Sequence, residues 1–246
     1  MLLSVSNLSK KYGDFLAVND ISFSIKEGEI FGFLGLNGAG KTTTLRMLAG
    51  ILEPSEGEII IGGHNLALNP IEAKKITGYI PDRPYLYPKL TGQEFLQFIG
   101  DLYELPRKEI PEKISFLLKE YSLTEWAHEL IESYSHGMRQ RLATCAALLH
   151  EPKFLIVDEP MVGLDPQGAR FLKNSFKEYA KNGMGILLST HSLNVAEEIT
   201  DRLAIIHKGK ILIQGTLSEI RSQSGKEGLN IEDLFLELTS YDSRSP

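Results

Sequence analysis

At 246 residues, 42% of them apolar and 24% charged, the chain has the size and composition of one large globular domain or two small ones, with ample side chains for a core. Its formal charge of −6 is offset by no basic block, which excludes general affinity for a nucleic-acid backbone or a bare anionic membrane surface, so no nucleic-acid partner is expected. The single cysteine, Cys145, excludes an internal disulfide and a cysteine metal cluster and reads as a small apolar residue on a buried helix face in a reducing compartment.

The opening MLLSVSNLSKKYGD is too short in its apolar stretch for a secretory signal. No run of about 18 apolar residues follows, so no segment is expected to span a bilayer and the chain is expected to work in the cytoplasm. The alternation of Phe15, Ala17, Ile21, Phe23 and Ile25 predicts half-buried antiparallel strands with turns at Gly13 and Gly28. Tyr12 beside them suits either stacking on an adenine face or filling that layer, and the residues alone leave both open.

Three continuous apolar runs, IFGFLG (30–35), FLIVDE (154–159) and GILLST (185–190), have the character of strands buried on both faces of a parallel sheet, and a shorter run, TGYIPD, ends at Asp82. All four stop at a polar or glycine residue, so their ends are expected to converge on one ligand crevice. The first runs into GLNGAGKTT, where Gly35, Gly40, Lys41 and Thr42 satisfy the phosphate-loop pattern. In such a loop the backbone of Gly35, Leu36, Asn37, Gly38, Ala39, Gly40 and Thr43 wraps phosphate oxygens, Lys41 reaches the β and γ oxygens, and the Thr42 hydroxyl is offered to Mg²⁺. Asp158 is the expected second Mg²⁺ contact, and Glu159 can then orient or deprotonate the water attacking the γ-phosphate. His191, at another strand end, is expected to contact the γ-phosphate.

Between Asp82 and Phe154 the spacing of Phe95, Phe98, Ile99 and Leu102, then of Ile114, Leu117 and Leu118, predicts a helical insertion. Within it SYSHGMRQRL runs from turn residues into a helix with Met138, Leu142, Cys145, Ala146 and Leu149 on one face. Its glycine-containing start is a second candidate anion site in a chain that already holds a phosphate loop, although Ser135 also suits an ordinary helix N-cap. Strand-like RLAIIHKGKILIQG precedes a tail of two short helices, the second carrying Ile231, Leu234, Phe235 and Leu238 at helical spacing and expected to pack on its own domain.

The ordered set resembles the nucleotide-binding subunit of ATP-binding cassette (ABC) transporters over nearly the whole chain, and most resembles those of bacterial exporters with separate membrane subunits. GLNGAGKTT looks like Walker A, FLIVDEP like Walker B with its catalytic glutamate at Glu159, and GLDP (Gly163 to Pro166) like the D-loop that brings Asp165 toward nucleotide. His191 looks like the switch histidine, and Tyr12 falls at the family's adenine-stacking aromatic. YSHGM stands where the family has its LSGGQ signature, which implies that Ser135 and Gly137 grip the γ-phosphate of a second cassette's ATP. Asp82 replaces the usual Q-loop glutamine, a metal ligand and γ-phosphate sensor; Met138 has lost the signature's polar end; Leu36 replaces a proline; Met161 and Val162 replace small polar residues.

The resemblance implies an α/β P-loop NTPase fold, with a mainly parallel sheet, an N-terminal antiparallel β subdomain and a helical insertion. One domain over 1–246 is expected, with core 1–86 and 150–215, insertion 87–149 and C-terminal helical appendage 216–246. It further implies an ATP hydrolase using ATP and Mg²⁺, in a homodimer or heterodimer of cassettes at the cytoplasmic face of the membrane. An integral membrane subunit would dock near RPYLYPKL, around Tyr85, Leu86 and Tyr87. Two rival classes are a soluble ABC ATPase acting on DNA or ribosomes, which would bring a long coiled-coil insertion, second cassette or basic face, and a low-turnover regulatory subunit, which would lack a base or switch residue.

Overall fold

The computed structural model describes residues 1–161 and 164–223 together with 233, 235 and 236. Val162, Gly163, Ile231, Leu234 and Leu238 lie outside the described residues. In chain order the elements are β1 (Leu3–Tyr12), β2 (Phe15–Ile25), β3 (Ile30–Leu34), α1 (Lys41–Leu48), β4 (Glu56–Ile61), β5 (His64–Asn65), α2 (Pro70–Lys75), β6 (Thr77–Ile80), α3 (Gly92–Leu102) and α4 (Ile110–Glu120). Then follow α5 (His136–Leu148), β7 (Phe154–Asp158), α6 (Pro166–Lys181), β8 (Gly185–Thr190), α7 (Leu193–Ile199), β9 (Arg202–His207), β10 (Lys210–Gly215) and α8 (Leu217–Gln223).

Two sheets organise the chain. The first has the order β2-β1-β4-β5 and is antiparallel throughout. The second has the order β10-β9-β3-β8-β7-β6, parallel except where β10 pairs with β9 at one edge. Every residue of β3, β7 and β8 is buried, as continuous apolar runs covered on both faces require. On one face Phe31, Phe33, Phe154 and Ile156 pack with α1 and the inner face of the antiparallel sheet. On the other, Leu155, Val157, Ile186 and Leu188 pack with α3, α4, α5 and α6. A third cluster joins Leu34, Leu203 and Ile205 to Ile220 and Phe235, so Phe235 packs on its own domain.

Three apolar residues of these strand and helix patterns are exposed. Phe15 is the first residue after the β1–β2 turn, beyond the part of the layer that the parallel sheet covers, and it is 66% exposed. Phe98 and Leu102 follow Phe95 at helical spacing, yet Phe95 is buried and they are not, because α3 turns one narrow stripe toward α4 and α5. The start of α3 carries a capping box: the Glu94 amide donates to Thr91 Oγ1 at 3.2 Å while the Thr91 amide donates to Glu94 Oε2 at 2.8 Å, which holds the Glu94 carboxyl below its ordinary pKa. Cys145 is fully buried beneath α4, its Sγ 3.7 Å from the Leu117 carbonyl, and burial pushes the thiol pKa up, so it is an inert core residue.

Because β3, β8, β7 and β6 are parallel neighbours, Gly35, His191, Glu159 and Asp82 all emerge at one edge of the sheet. No helix among the described residues is long and apolar enough to cross a membrane.

Candidate active site

Close packing shapes the loop between β3 and α1. A Cβ on Gly35 would lie 2.6 Å from the Ile206 carbonyl oxygen. One on Gly40 would lie 2.7 Å from the Ala17 carbonyl oxygen, and Gly40 also holds a φ of +105°. Both positions are therefore restricted to glycine. Gly40 leads directly into α1, so the amides of Lys41, Thr42 and Thr43 have no partner within the helix and form an anion site at its N-terminus. The Lys41 side chain is 6% exposed, and its ammonium donates to the Gly35 carbonyl at 2.6 Å and lies 3.3 Å from Glu159 Oε1.

Asp158 ends β7 almost wholly buried. Its Oδ1 accepts from the Ser189 hydroxyl at 2.5 Å, while Oδ2 is buried with no hydrogen-bond partner. Burial raises the Asp158 pKa, the hydroxyls of Ser189 and Thr42 oppose the rise, and the charges of Glu159 and Asp82 add to it. Glu159 follows with a φ of +48°, a left-handed conformation that costs about 1–3 kcal/mol in a non-glycine residue and here turns the carboxylate toward Lys41 and His191. Its amide is tied to Ser189, donating to the carbonyl at 3.2 Å and to Oγ at 3.1 Å. Its Oε2 accepts from His191 Nδ1 at 3.0 Å, which keeps the imidazole proton on that nitrogen while the carboxylate is ionised.

The fold thus brings Lys41, Thr42, Asp82, Asp158, Glu159 and His191 to one strand edge. Asp82 stands just beyond β6, its side chain 44% exposed and its charge felt at Asp158. Tyr12 does not fill the antiparallel layer: its ring is 47% exposed, with the Lys10 ammonium 5.4 Å from its centre. No hydrogen bond or ion pair among the described residues links Ser135 or Gly137 to the phosphate loop. Ser135 caps α5, Oγ accepting from the Met138 amide at 3.3 Å, and a Cβ on Gly137 would meet only Leu164, at 3.9 Å. Asp165 caps α6 by accepting from the Gly168 amide at 2.7 Å. Sequence reasoning missed Ser189, the hydroxyl that ties both carboxylate-bearing residues to β8; its only signal was a small polar residue at the end of an apolar run.

The family model for ABC transporter domains matches residues 18–162. The chain belongs to the ABC transporter ATP-binding proteins. Among its relatives in Bacillus subtilis, the ABC-type transporter ATP-binding protein EcsA is 37% identical over 242 residues, covering 98% of each chain. The SkfA peptide export ATP-binding protein SkfE is 41% identical over 211 residues, covering 86% of this chain and 87% of that one. A solved ATP-binding subunit of an ABC transporter superposes with a TM-score of 0.91 at 38% identity, over 97% of this chain and 99% of that one. The dimeric post-hydrolysis cassette MJ0796, bound to ADP and phosphate, superposes with a TM-score of 0.80 at 26% identity, over 88% of this chain and 99% of that one. This ABC subunit accordingly binds and hydrolyses ATP and powers a transporter, in a family whose cassettes dimerise and pair with membrane subunits.

The donor set fits a magnesium ion. Asp158 Oδ2 is an unpartnered buried carboxylate oxygen, with Thr42 and Asp82 as neighbouring oxygen donors.

The raised pKa of Asp158 has a thermodynamic sign. The folded chain holds this proton more tightly than the unfolded chain, so stability falls as pH rises from the ordinary aspartate pKa through the raised one. Asp158→Asn keeps an acceptor for Ser189 and removes the charge. It is expected to raise Tm at neutral pH in the absence of nucleotide. The same variant should lose Mg²⁺-dependent nucleotide binding; thermal melts with and without Mg·ATP read both effects.

Proposed function

We propose that two cassettes pair head to tail and that each ATP is hydrolysed by the loop and carboxylates of one chain with the signature of the other. The observation that carries this reading is the cluster in which Glu159 is held between Lys41 and His191 beside the buried carboxylate of Asp158. Thr42, Asp158 and Asp82 would hold Mg²⁺, which supplies charge neutralisation to the phosphates. Lys41 then binds β and γ oxygens, which frees Glu159 from its lysine contact to take a proton from water. His191, oriented by Glu159, contacts the γ-phosphate, and Tyr12 offers an exposed face to adenine.

Ser135 and Gly137, with the N-terminus of the thirteen-residue α5, provide the second anion cradle. An exposed helix start with no link to its own chain's phosphate loop is what a contribution to a partner's site requires, and the cap bond of Ser135 is compatible with it. In this division of labour 1–86 and 150–215 carry the hydrolytic machinery, 87–149 the signature, and 216–246 an appendage. The membrane subunit docks at an exposed aromatic cluster: Tyr85 is 85% exposed and edge-on to Tyr87, which in turn meets Phe98, while Leu86 points inward. The assembly is of the exporter type and sits on the cytoplasmic face of the membrane.

Complementation tests the exchange of signatures. Ser135→Ala and Glu159→Gln should each be inactive alone, while an equimolar mixture should recover turnover, since one of its two composite sites has both an intact base and an intact signature. Turnover of the unaltered chain should also rise faster than protein concentration. No recovery, with turnover strictly proportional to protein, would show that the signature does not act in trans.

A further inference from the structure

A groove runs between α4, the turn after α5 and the turn after α6. Its residues Pro152 and Met184 lie two residues before β7 and one before β8, so it opens at the amino ends of the strands, the edge opposite the phosphate site. The floor is apolar, made by Leu117, Leu148, Leu149, Pro152 and Met184, and Phe116 stands on the rim 65% exposed. Around this floor are four glutamates, Glu109, Glu112, Glu120 and Glu151, and a single lysine, Lys113.

The charges are not balanced internally. Lys113 is shared by Glu151 at 3.0 Å and Glu109 at 3.8 Å. Glu112 and Glu120 form no ion pair among the described residues. Glu120 is nonetheless held in place, accepting from the Tyr179 hydroxyl at 2.9 Å, with the Tyr121 hydroxyl 3.1 Å further along the chain of bonds. A fixed carboxylate beside exposed apolar surface favours a ligand that is both cationic and apolar. The carboxylates of α4 extend from its cap at Glu109 to its last residue at Glu120, a rise of about 16 Å. One small organic cation does not span that length, whereas a helix with basic residues over three turns does.

We propose that this groove docks a basic amphipathic helix of a partner polypeptide, its apolar stripe on Phe116, Leu148 and Met184 and its Lys or Arg residues along Glu112 and Glu120. The surface is separate from the nucleotide site and from the aromatic cluster at Tyr85 and Tyr87, so the docked segment would be held while the cassette turns over.

Fluorescence anisotropy with the full chain and a labelled synthetic helix of leucine and lysine tests this. Glu112→Gln with Glu120→Gln retains the acceptor for Tyr179, and Phe116→Ala removes the rim; each should weaken binding at least tenfold. A remote pair on exposed positions, Glu53→Gln with Glu56→Gln, removes the same charge and should leave binding unchanged. ATP turnover should be retained by all these variants, which verifies their folding. Equal weakening by groove and remote pairs, or no binding to the unaltered chain, would overturn the proposal in favour of diffuse attraction to an acidic protein. Groove variants that alter self-association of the chain but not peptide binding would assign the surface to a second copy and overturn it equally.

Discussion

Glu159→Gln is expected to lower ATP turnover by about 10²–10⁴-fold, the range that a general base contributes, while ATP still binds. The amide keeps the size of the carboxylate and an acceptor for His191 Nδ1, now 3.0 Å from Oε2, but cannot take a proton from water. It also removes the charge that pairs with Lys41 at 3.3 Å, so the lysine becomes freer to bind phosphate and ATP affinity should be held or slightly raised. With closure intact and hydrolysis blocked, a dimer should accumulate in Mg·ATP and be visible by size-exclusion chromatography. Unchanged turnover would remove Glu159 from its role as base, whatever became of the dimer.

Gly40→Val should abolish ATP binding and destabilise the chain by about 2–4 kcal/mol, through strain at a special backbone conformation and overpacking. A β-branched residue is strongly disfavoured at a φ of +105°, and its Cβ would meet the Ala17 carbonyl oxygen at 2.7 Å. That oxygen belongs to β2 and cannot swing aside as a flexible side chain could. At roughly 2–4 °C per kcal/mol for a chain of this length, the loss should appear as a Tm depressed by about 4–16 °C. A variant that melts as the unaltered chain does and still binds a fluorescent ATP analogue would show that the loop tolerates both the strain and the clash.

The strands around the site were legible because burial on both faces demands unbroken apolar runs, as in FLIVD and GILLST, and because polar residues mark where such runs end. Helix faces were less legible. Phe98 and Leu102 follow the buried Phe95 at helical spacing on α3 and are exposed, since periodicity says which residues share a face but not how wide a face the neighbouring helices cover. Tyr134 illustrates a different gap: in place of the family's leucine it is buried, its hydroxyl donates to the Trp126 carbonyl at 2.6 Å, and a Cβ on Gly92 would strike that hydroxyl. Nothing local to YSHGM indicates that a glycine more than forty residues away makes room for the ring.

By itself the sequence determined the phosphate loop, the paired carboxylates, the absence of an internal disulfide and the family to which the chain belongs, because each rests on residue type and short spacing along the chain. Only the tertiary structure decided that Glu159 takes a left-handed backbone, that Ser189 ties it and Asp158 to the adjacent strand, and that Asp158 keeps one buried oxygen unpaired. Those features come from parallel pairing of β7 with β8, which sets residues about thirty positions apart side by side. Register between distant strands is chosen by burial of the whole sheet, and no local pattern encodes which side chains it makes neighbours.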